Sequence, residues 1–124
     1  MIVRSRFFSV RPEADFTIVR LSRDVSDSDI AEDLMHQLAT FIEDIGSVKL
    51  VIDFVDVESC PSAVIAALIA AQRQLEALGG RMKLSIPSDR IRVVFQRLNL
   101  NMLFEIYCNR EDAIRVCCEE KKSD

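Results

Sequence analysis

Glycine is scarce in this sequence: Gly46, Gly79 and Gly80 are the only three in 124 residues. They cannot be arranged as G-x-G-x-x-G or as G-x-x-x-x-G-K-[ST], so both familiar phosphate-cradling loops are excluded. Histidine is scarcer still. His36 stands alone, which excludes H-E-x-x-H and any multi-histidine metal site. The four cysteines, Cys60, Cys108, Cys117 and Cys118, form no C-x-x-C pair and no zinc spacing. With no signal peptide in view, they read as packed, unreactive thiols in a reducing cytoplasm. Long apolar runs are missing too. The longest uncharged one, Ala63 to Ala71, falls far short of the ~20 residues of a membrane span. No metal, no cofactor and no membrane insertion are expected.

What is present suits one folded domain. The length leaves no room for two, and 49% hydrophobic with 29% charged residues is wrong for a disordered chain. The expected division is a single domain over residues 1–118 and a charged tail over 119–124. A net charge of −4 argues against bulk nucleic-acid binding, which needs a basic face. The charge is uneven. Residues 1–60 hold six basic and twelve acidic side chains, and residues 61–124 hold ten and eight. Arg81, Lys83, Arg90, Arg92 and Arg97 make one locally basic stretch, read mostly as a solvated strand end and helix face.

Periodicity gives the order of elements. Residues 2–10 and 16–21 alternate as strands, and the proline-bearing link between them reads as a hairpin. Ser26 and Asp29 have capping-box spacing, with Val25 and Ile30 placed as a hydrophobic staple. The helix they open carries a stripe of Ile30, Leu34, Leu38, Phe41, Ile42 and Ile45, and Gly46 closes it. The β-branched run from Val48 to Val55 suits a central strand covered on both faces. A second helix over residues 62–78 ends at Gly79-Gly80. A strand over 82–86, a third helix from Ser88 with a stripe of Ile91, Val94, Phe95 and Leu98, a strand over 104–107 and a helix over 110–120 follow. In that last helix Ala113, Ile114 and Cys117 read as inward. The order β-β-α-β-α-β-α-β-α predicts an α/β mixed sheet with an N-terminal antiparallel hairpin and about four helices.

The turn after the central strand runs from Asp53 to Ser62. Carboxyl ends of parallel strands are where α/β proteins build sites. Ser62 stands at the helix entrance, where a hydroxyl can cap orphan backbone amides. On the helical wheel Val64, Leu68, Ala71, Leu75 and Leu78 form the core face. Ile65 and Ile69 fall to one side and share a face with Ser62 and Ala66. That face reads as an apolar partner surface.

Three segments then resemble a known family. They are L-V-I-D-F with Asp53, the Gly-Gly turn followed by M-K-L, and R-L-N-L-N-M-L-F-E-I-Y. Together, in this order, they resemble a STAS domain of the anti-sigma factor antagonist family, over about residues 16–114. The resemblance implies a STAS-like fold and a regulatory binding module that is not an enzyme. Its implied partner is an anti-sigma factor or a serine/threonine kinase of the ATP-binding anti-sigma type. A phosphatase and a homodimer also fit the resemblance. The family's D-S-S-G turn places its phosphorylated serine on Ser62; here Pro61, Ala63 and Val64 replace the other three residues. The expected partner-binding residues are Asp53, Ser62, Ile65, Ala66, Ile69, Arg90 and Arg92, with Ser62 as phosphoacceptor. A phosphorylation-independent scaffold of a signalling complex, or a transporter accessory subunit, remains open beside this. A receiver domain lacks its acidic pair and late lysine. A hydrolase built on Asp53 and Asp56 would have them on opposite faces of an extended strand.

Overall fold

The computed structural model describes residues 5–26, 31–45 and 49–122, and the side chains of residues 33–45 and 49–116 within the latter two segments. Strand β1 (Phe8–Pro12) and strand β2 (Thr17–Leu21) pair antiparallel, with Phe8 opposite Leu21 and Val10 opposite Val19. The turn closes through the Glu13 amide, which donates to the Phe16 carbonyl at 2.9 Å. Strands β3 (Lys49–Asp53), β4 (Arg81–Ser85) and β5 (Glu105–Tyr107) are added in parallel. The sheet order is β1-β2-β3-β4-β5. Each parallel step needs a crossover, supplied by helices α1 (Ala31–Ile45), α2 (Ser62–Ala77) and α3 (Asp89–Arg97). Helix α4 (Arg110–Lys122) follows β5.

The two faces of the sheet differ. On one, Val19, Leu21, Leu50, Ile52, Met82 and Leu84 join buried residues of α1, α2 and α3 in the main core. On the other, Ile18 and Val51 meet Ala113 of α4, with Phe16, Tyr107 and Ile114 packed beside them. Strand β3 is thus covered on both faces, as its unbroken apolar sequence requires.

Helix ends follow local chemistry. The Ser88 hydroxyl oxygen accepts from the Ile91 amide and caps α3. Helix α2 ends with Gly79 at φ 79°, and the Gly80 amide returns to the Leu75 carbonyl at 2.7 Å, the left-handed ending that glycine favours. Asn99 takes the same region after α3, at φ 58°; asparagine tolerates it best among residues with a side chain.

Several expectations are corrected. Ile65 is 7% exposed and belongs to the main core, and Ile69 is half-buried against it. The reason is the width of the buried arc of α2. It runs from Ala67 through Val64 and Leu68 to Ile65, roughly 160° at 100° per residue, because α2 is flanked on two sides. On one side Gln74 donates to the Ala39 carbonyl of α1; on the other Gln72 donates to the Leu103 carbonyl. At the end of that arc Leu78 is exposed. In α3 only Ile91 and Phe95 are buried, while Val94 and Leu98 face outward, since α3 touches the core along a narrow line. Cys108 is exposed and Cys60 half-buried. Ser26 lies in a short 3-10 turn (Arg23–Ser26) and its hydroxyl bonds to both backbone groups of Ser59. Asp29, Ile30, Gly46, Val48 and the Cys117 and Cys118 side chains lie outside what is described. No described helix is long and apolar enough to cross a membrane.

Candidate functional site

The segment between β3 and α2 leaves the sheet at Asp53, makes a turn closed by the Val57 amide on the Phe54 carbonyl at 3.0 Å, and enters α2 at Ser62. Phe54 and Val57 anchor it by burial in the main core. Three polar links pin it to β2 and to the short turn that follows β2. Arg20 grips Asp56 with two hydrogen bonds, Nε at 2.8 Å and Nη2 at 3.1 Å. Arg23 pairs with Glu58 at 3.0 Å. The Ser26 hydroxyl donates to the Ser59 carbonyl at 2.8 Å and accepts from the Ser59 amide at 3.2 Å. Arg20, by hydrogen bond and charge, holds the Asp56 carboxyl below the usual carboxylate range, and the Arg20 pKa rises in turn.

Pro61 occupies the capping position of α2, with φ −62° and ψ 156° and no side-chain cap. Its carbonyl accepts from Val64 at 2.9 Å and from Ile65 at 3.4 Å. Proline suits a helix entrance because its fixed φ is preset for the turn. Ser62 is therefore the first residue inside the helix. It is exposed, and its hydroxyl makes no hydrogen bond among the described residues. The plain capping role open to this serine is not the one it takes. The first turn of α2 carries no acidic residue, so no side chain of that turn complements its positive end.

A groove of about 280 Å³ runs beside this entrance, lined by Glu58, Ser59, Cys60, Pro61, Arg90 and Val94. Burial pushes the Cys60 thiol up to about 12, which removes it from thiolate chemistry. Arg90 is exposed and lines the groove. Arg92 is turned elsewhere: its guanidinium bonds the Ile86 carbonyl at 2.6 Å and the Asp89 carboxylate. Ala66 is exposed on the outer face of α2. Asp53 is 3% exposed; its Oδ1 accepts from the Val55 amide at 3.1 Å. The structure thus brings Ser62, Ala66 and Arg90 to one end of the molecule's surface. Ile65 and Asp53 are buried, and Arg92 is half-buried against the Ile86 carbonyl.

A profile of the STAS domain matches residues 8–113. The chain belongs to the STAS domain family. Among solved structures, the anti-sigma factor antagonist SpoIIAA in its unphosphorylated form is 27% identical, with a TM-score of 0.70 over 88% of this chain and 95% of that one. The phosphorylated Bacillus SpoIIAA is 22% identical, TM-score 0.62, over 87% and 96%. An anti-sigma factor antagonist from Mycobacterium paratuberculosis is 23% identical, TM-score 0.70, over 89% and 92%. Among curated proteins no significant sequence match was found. The STAS fold, with its N-terminal antiparallel pair, mixed sheet and four helices, is the one the sequence implies. Sequence reasoning missed the pins on the loop of this STAS domain. Ser26 and Ser59 are separated by 33 residues, and Arg20 and Asp56 by 36, so no local pattern announces them.

Proposed function

We propose that this STAS domain is a protein-binding regulator of the anti-sigma factor antagonist type, switched by phosphorylation of Ser62. The observation that carries the reading is Ser62 itself: an exposed serine in the first turn of a helix, with an unbonded hydroxyl and no acidic residue in that turn. SpoIIAA, solved in unphosphorylated and phosphorylated forms, supports it by likeness. The docking face comprises Ser62, Ala66 and the Arg90 side of the neighbouring groove. A phosphate adds roughly −1.5 to −2 charges at the centre of that face. The α2 terminus accepts such an anion, by about 0.3–1 kcal/mol. A partner seated on Ser62 does not, because burying an unpaired dianion costs several kcal/mol. Phosphorylation releases the partner and leaves the fold intact.

The partner is an anti-sigma factor or a serine kinase of the ATP-binding anti-sigma type, with a phosphatase to reset the switch, and the setting is the cytoplasm. The domain works by binding and release, without catalysis of its own. Incubation with the cognate kinase and intact-mass measurement tests the acceptor, and binding by Ser62→Asp tests the switch. Phosphate on Ser62 and at least tenfold weaker binding by the variant are expected. Equal affinity of variant and wild type overturns the switch. Absence of phosphate on Ser62 supports the second reading, a phosphorylation-independent scaffold, which the Pro61-Ser62-Ala63-Val64 turn favours.

A further inference from the structure

The face of the sheet under α4 carries a polar row that the Ser62 reading does not use. Register sets Arg20 beside Asp53, Asp53 beside Ser85, and Ser85 beside Tyr107. The row lies at the carboxyl ends of the parallel strands, where α/β sheets bind ligands. There a cleft of about 260 Å³ opens, whose lining includes Arg20, Asp53, Ser85, Asn109, Arg110 and Glu111.

Ser85 is the unexpected member. It is 1% exposed and lines the cleft, yet its hydroxyl makes no hydrogen bond among the described residues. Buried polar groups are nearly always paired, so a hydroxyl left open at a cleft marks a place for a ligand atom. Its neighbours have spare capacity too. Arg110 Nη1 stands 3.8 Å from Asp53 Oδ2, too far for a hydrogen bond. The Arg110 guanidinium and that carboxylate oxygen therefore both keep their hydrogen-bonding positions open. Arg20, by contrast, is engaged by Asp56. The 13-residue helix α4 begins at the same cleft, with Asn109 Oδ1 accepting from the Asp112 amide at 2.8 Å, and Glu111 and Asp112 in its first turn offset its positive end.

The cleft is thus bipolar, positive at Arg110 and negative at Asp53 and Glu111. A simple anion meets Asp53, and a simple cation meets Arg110. Only a molecule with both charges satisfies both ends. The volume is below the usual range for drug-sized ligands, which favours a small molecule. We propose that this cleft binds a free amino acid. Its carboxylate lies on Arg110 and the Ser85 hydroxyl, and its ammonium on the open Asp53 oxygen.

The test is an NMR titration of the ¹⁵N-labelled full chain with the common L-amino acids, one at a time at millimolar concentration. At least one is expected to move the amide signals of Ser85, Asn109 and Arg110 to saturation. Its deaminated acid and its decarboxylated amine are expected to bind at least tenfold more weakly. Ser85→Ala, which removes an unpaired hydroxyl and so should fold normally, is expected to weaken binding at least tenfold, and Arg110→Gln likewise. The proposal is overturned if no amino acid moves these signals, so that water alone fills the cleft. It is equally overturned if the acid or amine binds as well as the zwitterion, or if Ser85→Ala binds as wild type does. Partner binding through Ser62 is read in a separate assay and stands or falls independently.

Discussion

Ser62 and Ile65 are three residues apart on α2 and do opposite work. The Ser62 hydroxyl reaches solvent and bonds nothing among the described residues, so replacing it should leave the folded state untouched. Ser62→Asp is expected to keep the unfolding free energy or raise it by about 0.3–1 kcal/mol, through the helix terminus. Urea unfolding checks this, and a loss of stability would mean the serine is structural after all. Ile65 sits in the main core. Ile65→Ala is expected to cost about 2–5 kcal/mol, the usual range for truncating a buried isoleucine. An unchanged denaturation midpoint would return Ile65 to the surface role its wheel position suggested. The same figure makes Ile65→Ala a poor probe of the partner face, because weakened binding would then report a weakened fold.

The β3–α2 loop shows how an element far from regular structure is fixed. The Ser26 hydroxyl serves both backbone groups of Ser59, three residues before Ser62. Ser26→Ala is expected to lose about 0.5–1.5 kcal/mol for each of these bonds. It should also speed amide hydrogen exchange over residues 57–60 more than elsewhere; uniform exchange across the chain would exclude a local clamp. The Arg20–Asp56 pair adds a pH dependence. Arg20 lowers the Asp56 pKa, so the pair stabilises the loop fully above the ordinary carboxylate pKa. That support fades as pH falls through the depressed value. Asp56 is solvent-screened, so the effect is small and is best read as loop exchange rising only in strong acid, with Arg20→Gln flattening the curve. Legibility follows the same division. The hairpin, the central strand, the Ser88 cap and the Gly79 ending rest on neighbours in sequence, and each is readable there. The width of the buried arc on α2 depends on what Gln72 and Gln74 reach 31 and 35 residues away. The outward turn of Val94 depends on how little of α3 the core touches. Ser62 was legible as a helix entrance, but its free hydroxyl depends on Pro61 taking the cap position, which spacing alone does not reveal.

Across the whole molecule the two sheet faces carry different kinds of stability. Three crossover helices bury one face in a continuous apolar core, while α4 alone covers the other, which therefore keeps charged and polar residues within the sheet. Lys83 is the extreme case, 1% exposed and paired at 2.6 Å with Glu105, directly opposite on β5. Glu105 itself is half-exposed. This asymmetry predicts an asymmetric response. Lys83→Met removes a desolvated ammonium, puts a side chain of similar length in its place, and leaves a carboxylate that water can still reach. Because no charge is left buried, the penalty for breaking a buried pair does not arise, and the loss should be small. Glu105→Gln removes the charge but leaves the ammonium buried, and should cost about 1.5–3 kcal/mol, the range for a hydrogen bond to a charged group. Because Lys83 is shielded from counter-ions, that loss should change little between low and moderate salt. Urea unfolding of both variants at two ionic strengths separates the outcomes. A larger loss for Lys83→Met than for Glu105→Gln would show that the lysine's other contacts, and not Glu105, hold this face of the sheet.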